Sequence, residues 1–104
     1  MQAQVLFSAS AQADLDQLFE RIADRAGLTV ALGYTGRIRR YCMDLQPFPE
    51  RGTKRDDLRI GLRTVGFERR VTIAFTIRGD QVIILRILYG GRSLERAFGN
   101  NEAP

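Results

Sequence analysis

The apolar residues of this chain change period once, and that change decides what it can fold into. From Ala11 to Leu45 they recur at spacings of three and four, the repeat of helices with one buried stripe. From Leu58 to Tyr89 they alternate with arginines, threonines and glycines, the repeat of strands with one buried face. The switch falls in a basic loop, residues 46–56, broken by Pro47, Pro49 and Gly52. Helices followed by strands in 104 residues make a single α+β domain, long enough for a modest core and too short to split into two.

Within that frame the elements are readable. Residues 3–8 form a short strand, and Ser8 or Ser10 caps a first helix. Its stripe is Ala11, Leu15, Leu18, Phe19, Ile22 and Ala26, and Gly27 closes it. Asp14, Asp16, Glu20 and Asp24 fall on the polar side. Thr29 caps a second helix with the stripe Val30, Tyr34, Ile38, Cys42 and Leu45, ended by Pro47. So short a link makes the pair an antiparallel helical hairpin. Phe48, between two prolines, packs inward as an anchor. Leu58, Ile60 and Leu62 make a strand whose outer face carries Arg59 and Arg63. After a turn at Gly66 to Glu68, Val71 to Ile77 and Gln81 to Tyr89 form a hairpin around Gly79-Asp80. The expected fold is thus a short N-terminal strand and an antiparallel helical hairpin on one face of a twisted antiparallel sheet.

Hairpin register decides the place of Arg86. A strict two-residue turn sets Ile73 opposite Arg86 and buries a charge, at a cost of several kcal/mol. A three-residue loop moves the parity by one, so that Ile73, Phe75 and Ile77 share a face with Ile83, Leu85 and Ile87. The second register is expected. It leaves Arg59, Arg63, Arg78 and Arg86 on an open face, where Arg86→Ala would hardly change stability.

Composition narrows the chemistry. With no histidine and one cysteine, the chain holds no Ser-His-Asp or Cys-His nucleophile system, no Cys/His zinc site and no internal disulfide. No metal and no cofactor is expected, and Cys42 reads as a small buried apolar residue. The longest wholly apolar run, Val82 to Leu85, is far short of the about 20 residues that span a bilayer. Met1 to Gln4 lacks the cationic start of a signal peptide. A cytoplasmic protein without membrane contact is expected. The net charge of +4 is uneven: residues 1–50 hold five Arg against six acids, and residues 51–104 hold ten Arg and Lys54 against six. Fifteen of the 16 cations are arginines, whose forks pair with phosphate or carboxylate. An arginine-lined surface for nucleic acid or an acidic protein partner follows. A plain nucleic-acid module fits less well, because the outer face has no interleaved aromatics for base stacking.

Four segments, in order, carry a resemblance. They are Phe7-Ser8 leading to Ala13-Asp14-Leu15; Leu45-Gln46-Pro47-Phe48-Pro49-Glu50-Arg51-Gly52; Gly61-Leu62-Arg63; and Ile83-Ile84-Leu85-Arg86-Ile87-Leu88-Tyr89-Gly90-Gly91-Arg92. Together they resemble the RelE/ParE toxin superfamily of type II toxin–antitoxin systems over residues 3–96. The proline–glycine loop and the Gly-Gly-Arg ending look closer to the ParE branch. The resemblance implies a single toxin domain, residues 1–104, neutralised by a cognate antitoxin, with operator DNA reached only through the antitoxin complex. A ParE-like member inhibits DNA gyrase by binding, with Arg59, Arg63, Arg86, Gly90, Gly91 and Arg92 as candidate target contacts and no catalytic residue. A RelE-like member cleaves mRNA on the ribosome, and its candidates here are Lys54, Arg63, Arg86 and Tyr89. That set lacks a general base: histidine is absent and arginine holds its proton too tightly. The gyrase-directed reading is preferred.

Overall fold

The computed structural model describes residues 4–99. The elements run β1 (Gln4–Phe7), α1 (Ala9–Ala26), α2 (Leu28–Met43), β2 (Thr53–Lys54), β3 (Arg63–Phe67), β4 (Val71–Arg78) and β5 (Gln81–Tyr89), then one π-helical turn at Glu95–Gly99. The expected α+β layering is present, with one change to the sheet. Its order is β1-β5-β4-β3-β2, and β1 joins β5 in parallel, so the sheet is mixed.

Ser8 starts α1: its Oγ accepts from the Ala11 amide at 3.0 Å and donates to the Leu85 carbonyl at 2.9 Å. One side chain therefore caps the helix and ties it to the last strand. Gly27, at φ 94°, ends α1 and begins α2. No side-chain cap from Thr29 is formed, because Thr29 already lies inside α2. The hairpin is antiparallel: Arg39, late in α2, sits over Phe7 and reaches Gln12 early in α1. The buried stripe of α2 is Ala31, Thr35, Ile38 and Cys42. Val30 is exposed and Tyr34 half-buried, one position round from expectation, because a one-residue link rotates α2 on α1.

The main core joins Leu15, Leu18, Ile38, Cys42 and Leu45 to Ile73, Phe75, Val82, Ile84 and Ile87. Cys42 is fully buried, which pushes its thiol pKa up to about 12 from 9.0. The expected result is maleimide labelling at pH 8 at least about a hundredfold slower in native than in denaturant-unfolded protein, since only the thiolate reacts. The unfolded chain releases this proton above pH 9 while the folded one keeps it, so stability should decline as pH rises from 9 toward 12. A urea titration at pH 8 and pH 10 checks the sign.

Residues 55–62 are turns, not a strand. The Gly61 amide donates to Asp56 Oδ1, and Thr76 Oγ1 donates to the Gly61 carbonyl. Leu58 and Leu62 turn inward from this loop, whereas Ile60 is 89% exposed. Spacing of four serves a looped segment as well as spacing of two serves a strand, so the pattern had two solutions. Phe48 is 72% exposed and belongs to neither core among the described residues, so it is not the expected anchor. The β3–β4 turn sits at Glu68-Arg69, both at positive φ, with the Arg70 amide donating to the Phe67 carbonyl. That places it just beyond Gly66, which stays within β3.

The expected three-residue loop between β4 and β5 is absent. Arg78 pairs with Gln81 around two residues, and Ile77 and Phe75 face Val82 and Ile84. A bulge then intervenes, so that Ala74 pairs with Arg86 and Ile73 with Ile87. Leu85 is the extra residue, and its carbonyl is the one taken by Ser8. The bulge reconciles both registers, matching apolar partners on either side of itself without burying Arg86 among them.

The second sheet face is not open along its length. Leu58, Leu62, Ala74, Leu85, Leu94, Ala97 and Phe98 form a smaller core there. The segment after Gly91 is anchored by Phe98, 6% exposed. Residues 100–104, and Ala3 at the start of the expected first strand, lie outside the described residues.

Candidate functional site

Asp14 organises the end of the molecule where α1, β5 and the C-terminal segment meet. It is the i+3 neighbour of Ala11 and adjoins Leu15, so it sits within the apolar stripe of α1 and is only 5% exposed. Its carboxylate accepts from Arg86 Nε at 2.8 Å and Nη2 at 3.0 Å, and from the Ile87 amide at 2.8 Å. Arg92 Nη1 stands 3.8 Å away. β1 stops at Phe7, leaving the edge of β5 beyond Ile84 without a strand partner, and Asp14 takes over that role at Ile87. The hydrogen bonds that Arg86 donates to Asp14 raise its pKa above the ordinary value, although burial works against it.

Arg86 is therefore not the free open-face cation expected from the sequence. It is three-quarters buried and held in a bidentate pair. Asp14 was the residue sequence reasoning missed. A carboxylate on the apolar stripe of a helix, in a chain rich in arginine, was the available signal.

The other candidates scatter. Arg63 pairs opposite Phe75, so it lies on the helix-side face of the sheet, not on the open face expected from the sequence. Its Nη1 donates to the Arg51 carbonyl at 3.3 Å. With Lys54, its partner across β2–β3, and with Glu50 and Asp56 it lines a cleft of about 350 Å³. Arg59 stacks its guanidinium over Phe98, 5.0 Å from the ring centre, covering the smaller core. Tyr89 is half-buried, with its ring edge-on to Tyr34 at 6.3 Å. The Tyr34 hydroxyl has a raised pKa, through burial first and then Tyr89. Gly90, at φ 70°, turns the chain out of β5 while its amide donates to the Arg70 carbonyl. Gly91 follows in the same exposed turn, and Arg92 comes back toward Asp14. The structure thus brings Arg86 to Arg92, and Lys54 to Arg63, as two separate groups. Among the described residues, no three His, Cys, Asp or Glu side chains gather as metal ligands, and no helix is long and apolar enough to cross a membrane.

Residues 5–94 match the family described as the ParE toxin of type II toxin–antitoxin systems, parDE. This chain belongs to the ParE toxin family. It is 36% identical over 86 residues to Toxin ParE3 of Caulobacter vibrioides, covering 83% of this chain and 85% of that one. A chain of the chromosomal ParDE toxin–antitoxin system from P. aeruginosa superposes with a TM-score of 0.75 at 27% identity, covering 85% of this chain and 96% of that chain. A conserved hypothetical protein of Helicobacter pylori, HP0894, shares the fold at a TM-score of 0.51 and 19% identity, over 84% and 93% of the two chains. ParE membership makes this chain the toxin of a toxin–antitoxin pair, with a cognate antitoxin as its partner.

Proposed function

We propose that this ParE-family toxin acts by binding DNA gyrase and blocking replication, not by cutting RNA, and that operator DNA is reached only through the antitoxin complex. The observation that carries the choice is the dispersal of the residues an RNA-cleaving site would need. Lys54 and Arg63 line one cleft on the helix-side face. Arg86 is opposite Ala74 on the other face and is committed to Asp14. Tyr89 packs against Tyr34, back on the side of the main core. Transphosphorylation from a 2′-hydroxyl needs a base, an acid and a cationic clamp within hydrogen-bond reach of one phosphate. Two cations in one place and a tyrosine in another do not provide that.

For target contact the reading favours Arg92, Gly90 and Gly91, which are exposed at the end of β5. Arg59, Arg63 and Arg86 serve first as internal partners. A supercoiling assay with the purified chain tests the reading, with programmed ribosomes and mRNA as the companion reaction. Inhibited supercoiling with accumulating cleaved DNA is expected. An unaffected gyrase reaction beside mRNA cuts phased to codons would overturn it and move attention to Lys54 and Arg63.

A further inference from the structure

Between the outer half of β5 and the C-terminal turn runs a cleft of about 290 Å³, lined by Arg86, Leu88, Arg92, Ser93, Arg96 and Ala97. Three of its six walls are arginines. Asp14, below them, neutralises Arg86 and holds its plane still. Arg92 is only loosely tied, at 3.8 Å from the same carboxylate, and Arg96 forms no ion pair among the described residues. Glu95, the nearest acid in sequence, is shared between Arg55, at 3.3 Å, and Ser93 Oγ of the cleft wall, which donates to it at 3.3 Å, and it makes no ion pair with the cleft's arginines. The Ser93 Oγ accepts from the Arg96 amide, which fixes the start of the turn that carries Arg96.

We propose that this arginine cleft seats the phosphodiester backbone of duplex DNA without regard to sequence, so that the operator as a sequence is still selected only through the antitoxin complex. The choice of duplex over other nucleic acids rests on the gyrase reading; the cleft itself does not. Its chemistry favours a polyanion over an acidic protein segment. Leu88 is 3% exposed and Ala97 is small, so the cleft offers no apolar anchor of the kind that dominates protein interfaces. A single carboxylate would use one fork, whereas regularly spaced phosphates engage Arg92 and Arg96 together. Among the described residues the cleft has no aromatic on which an unpaired base could stack, and its arginine forks match phosphate oxygens, which favours contact to the backbone.

The test is fluorescence anisotropy of the full chain with a short labelled duplex across about 50 to 200 mM salt. Arg92→Ala/Arg96→Ala should weaken binding about tenfold or more at low salt and reduce the log–log salt slope by about 2. Arg25→Ala/Arg40→Ala, which removes two exposed arginines from the helical hairpin, is the charge-matched control and should leave most of the slope in place. A single Arg96→Glu change, at an exposed site with no ion pair to lose among the described residues, should weaken binding further than Arg96→Ala. Equal losses from the two double variants would overturn the proposal in favour of diffuse charge. So would no duplex binding, a preference for single-stranded RNA, or polyglutamate bound more tightly than duplex. Supercoiling assays on the same variants separate the two readings: a wild-type chain that inhibits gyrase without binding duplex removes this inference and leaves the proposed function standing.

Discussion

Asp14→Ala is expected to lower the thermal midpoint by about 12 °C or more, read by circular dichroism or calorimetry. The change strands a largely buried guanidinium and the Ile87 amide at once. Breaking a buried pair from one side costs about 3–5 kcal/mol, because the remaining charge stays desolvated and alone. Against a total stability of about 5–15 kcal/mol, that is a large share. Asp14→Asn should fall in between, since the amide oxygen still accepts from Ile87 while the charge is lost. The double change Asp14→Leu/Arg86→Met should recover much of the loss, because two apolar side chains of similar volume leave no unpaired charge behind. If Asp14→Ala shifted the midpoint by only a degree or two, the latch would have to be solvated and the account of β5's edge would be wrong.

The second large effect is expected at Gly52. Its φ is +85°, and a Cβ there would stand 2.4 Å from the Thr64 carbonyl oxygen and 2.7 Å from Val65 Cγ1. The first of those is backbone within the sheet and has no rotamer in which to move aside. Overpacking together with a left-handed conformation puts Gly52→Ala at about 2–4 kcal/mol. The strain should fall where the sheet is thinnest: β2 has two residues, and its partners are Thr64 and Arg63. Hydrogen exchange should therefore show Thr53, Lys54 and Thr64 losing protection while Ile73 and Ile84 keep theirs. Uniform loss across the sheet would mean that β2 is not a separable edge.

The layers of the fold were legible because each depends on a period that burial enforces over many residues. Ala11, Leu15 and Leu18 on α1, and Ile73, Phe75 and Ile87 on the hairpin, went where their spacing sends them. What escaped was set by single contacts. No periodicity announces a bulge at Leu85; it exists because apolar partners are matched on both sides of it and because Ser8 accommodates its carbonyl. The place of Arg86 depended on that bulge and on Asp14, so it could not be read from β5 alone. Leu58, Ile60 and Leu62 alternate as a strand does, yet Gly61 and Asp56 close a turn that buries two of the three. The candidate site was legible only in part for the same reason. The arginines at the end of β5 were visible in the sequence; which of them is held by a bidentate carboxylate was not.

The pairing of β1 with β5 has a bearing on the order in which the molecule comes into being. The Gln4 amide binds the Asp80 carbonyl, the Ser8 amide binds the Ile84 carbonyl, and Asp14 waits for residues 86 and 87. β1, Ser8 and Asp14 thus have partners 72 to 77 residues further along the chain, and such distant contacts are repaid only after the long intervening segment is made. A chain stopped before β5 would lack the strand that separates β1 from β4, together with every contact described for Asp14. Until β5 is present, β1 and Asp14 should hold none of these partners, while the helical hairpin and the β3–β4 pair can already form, so the surface where α1 meets β5 is the last to be completed.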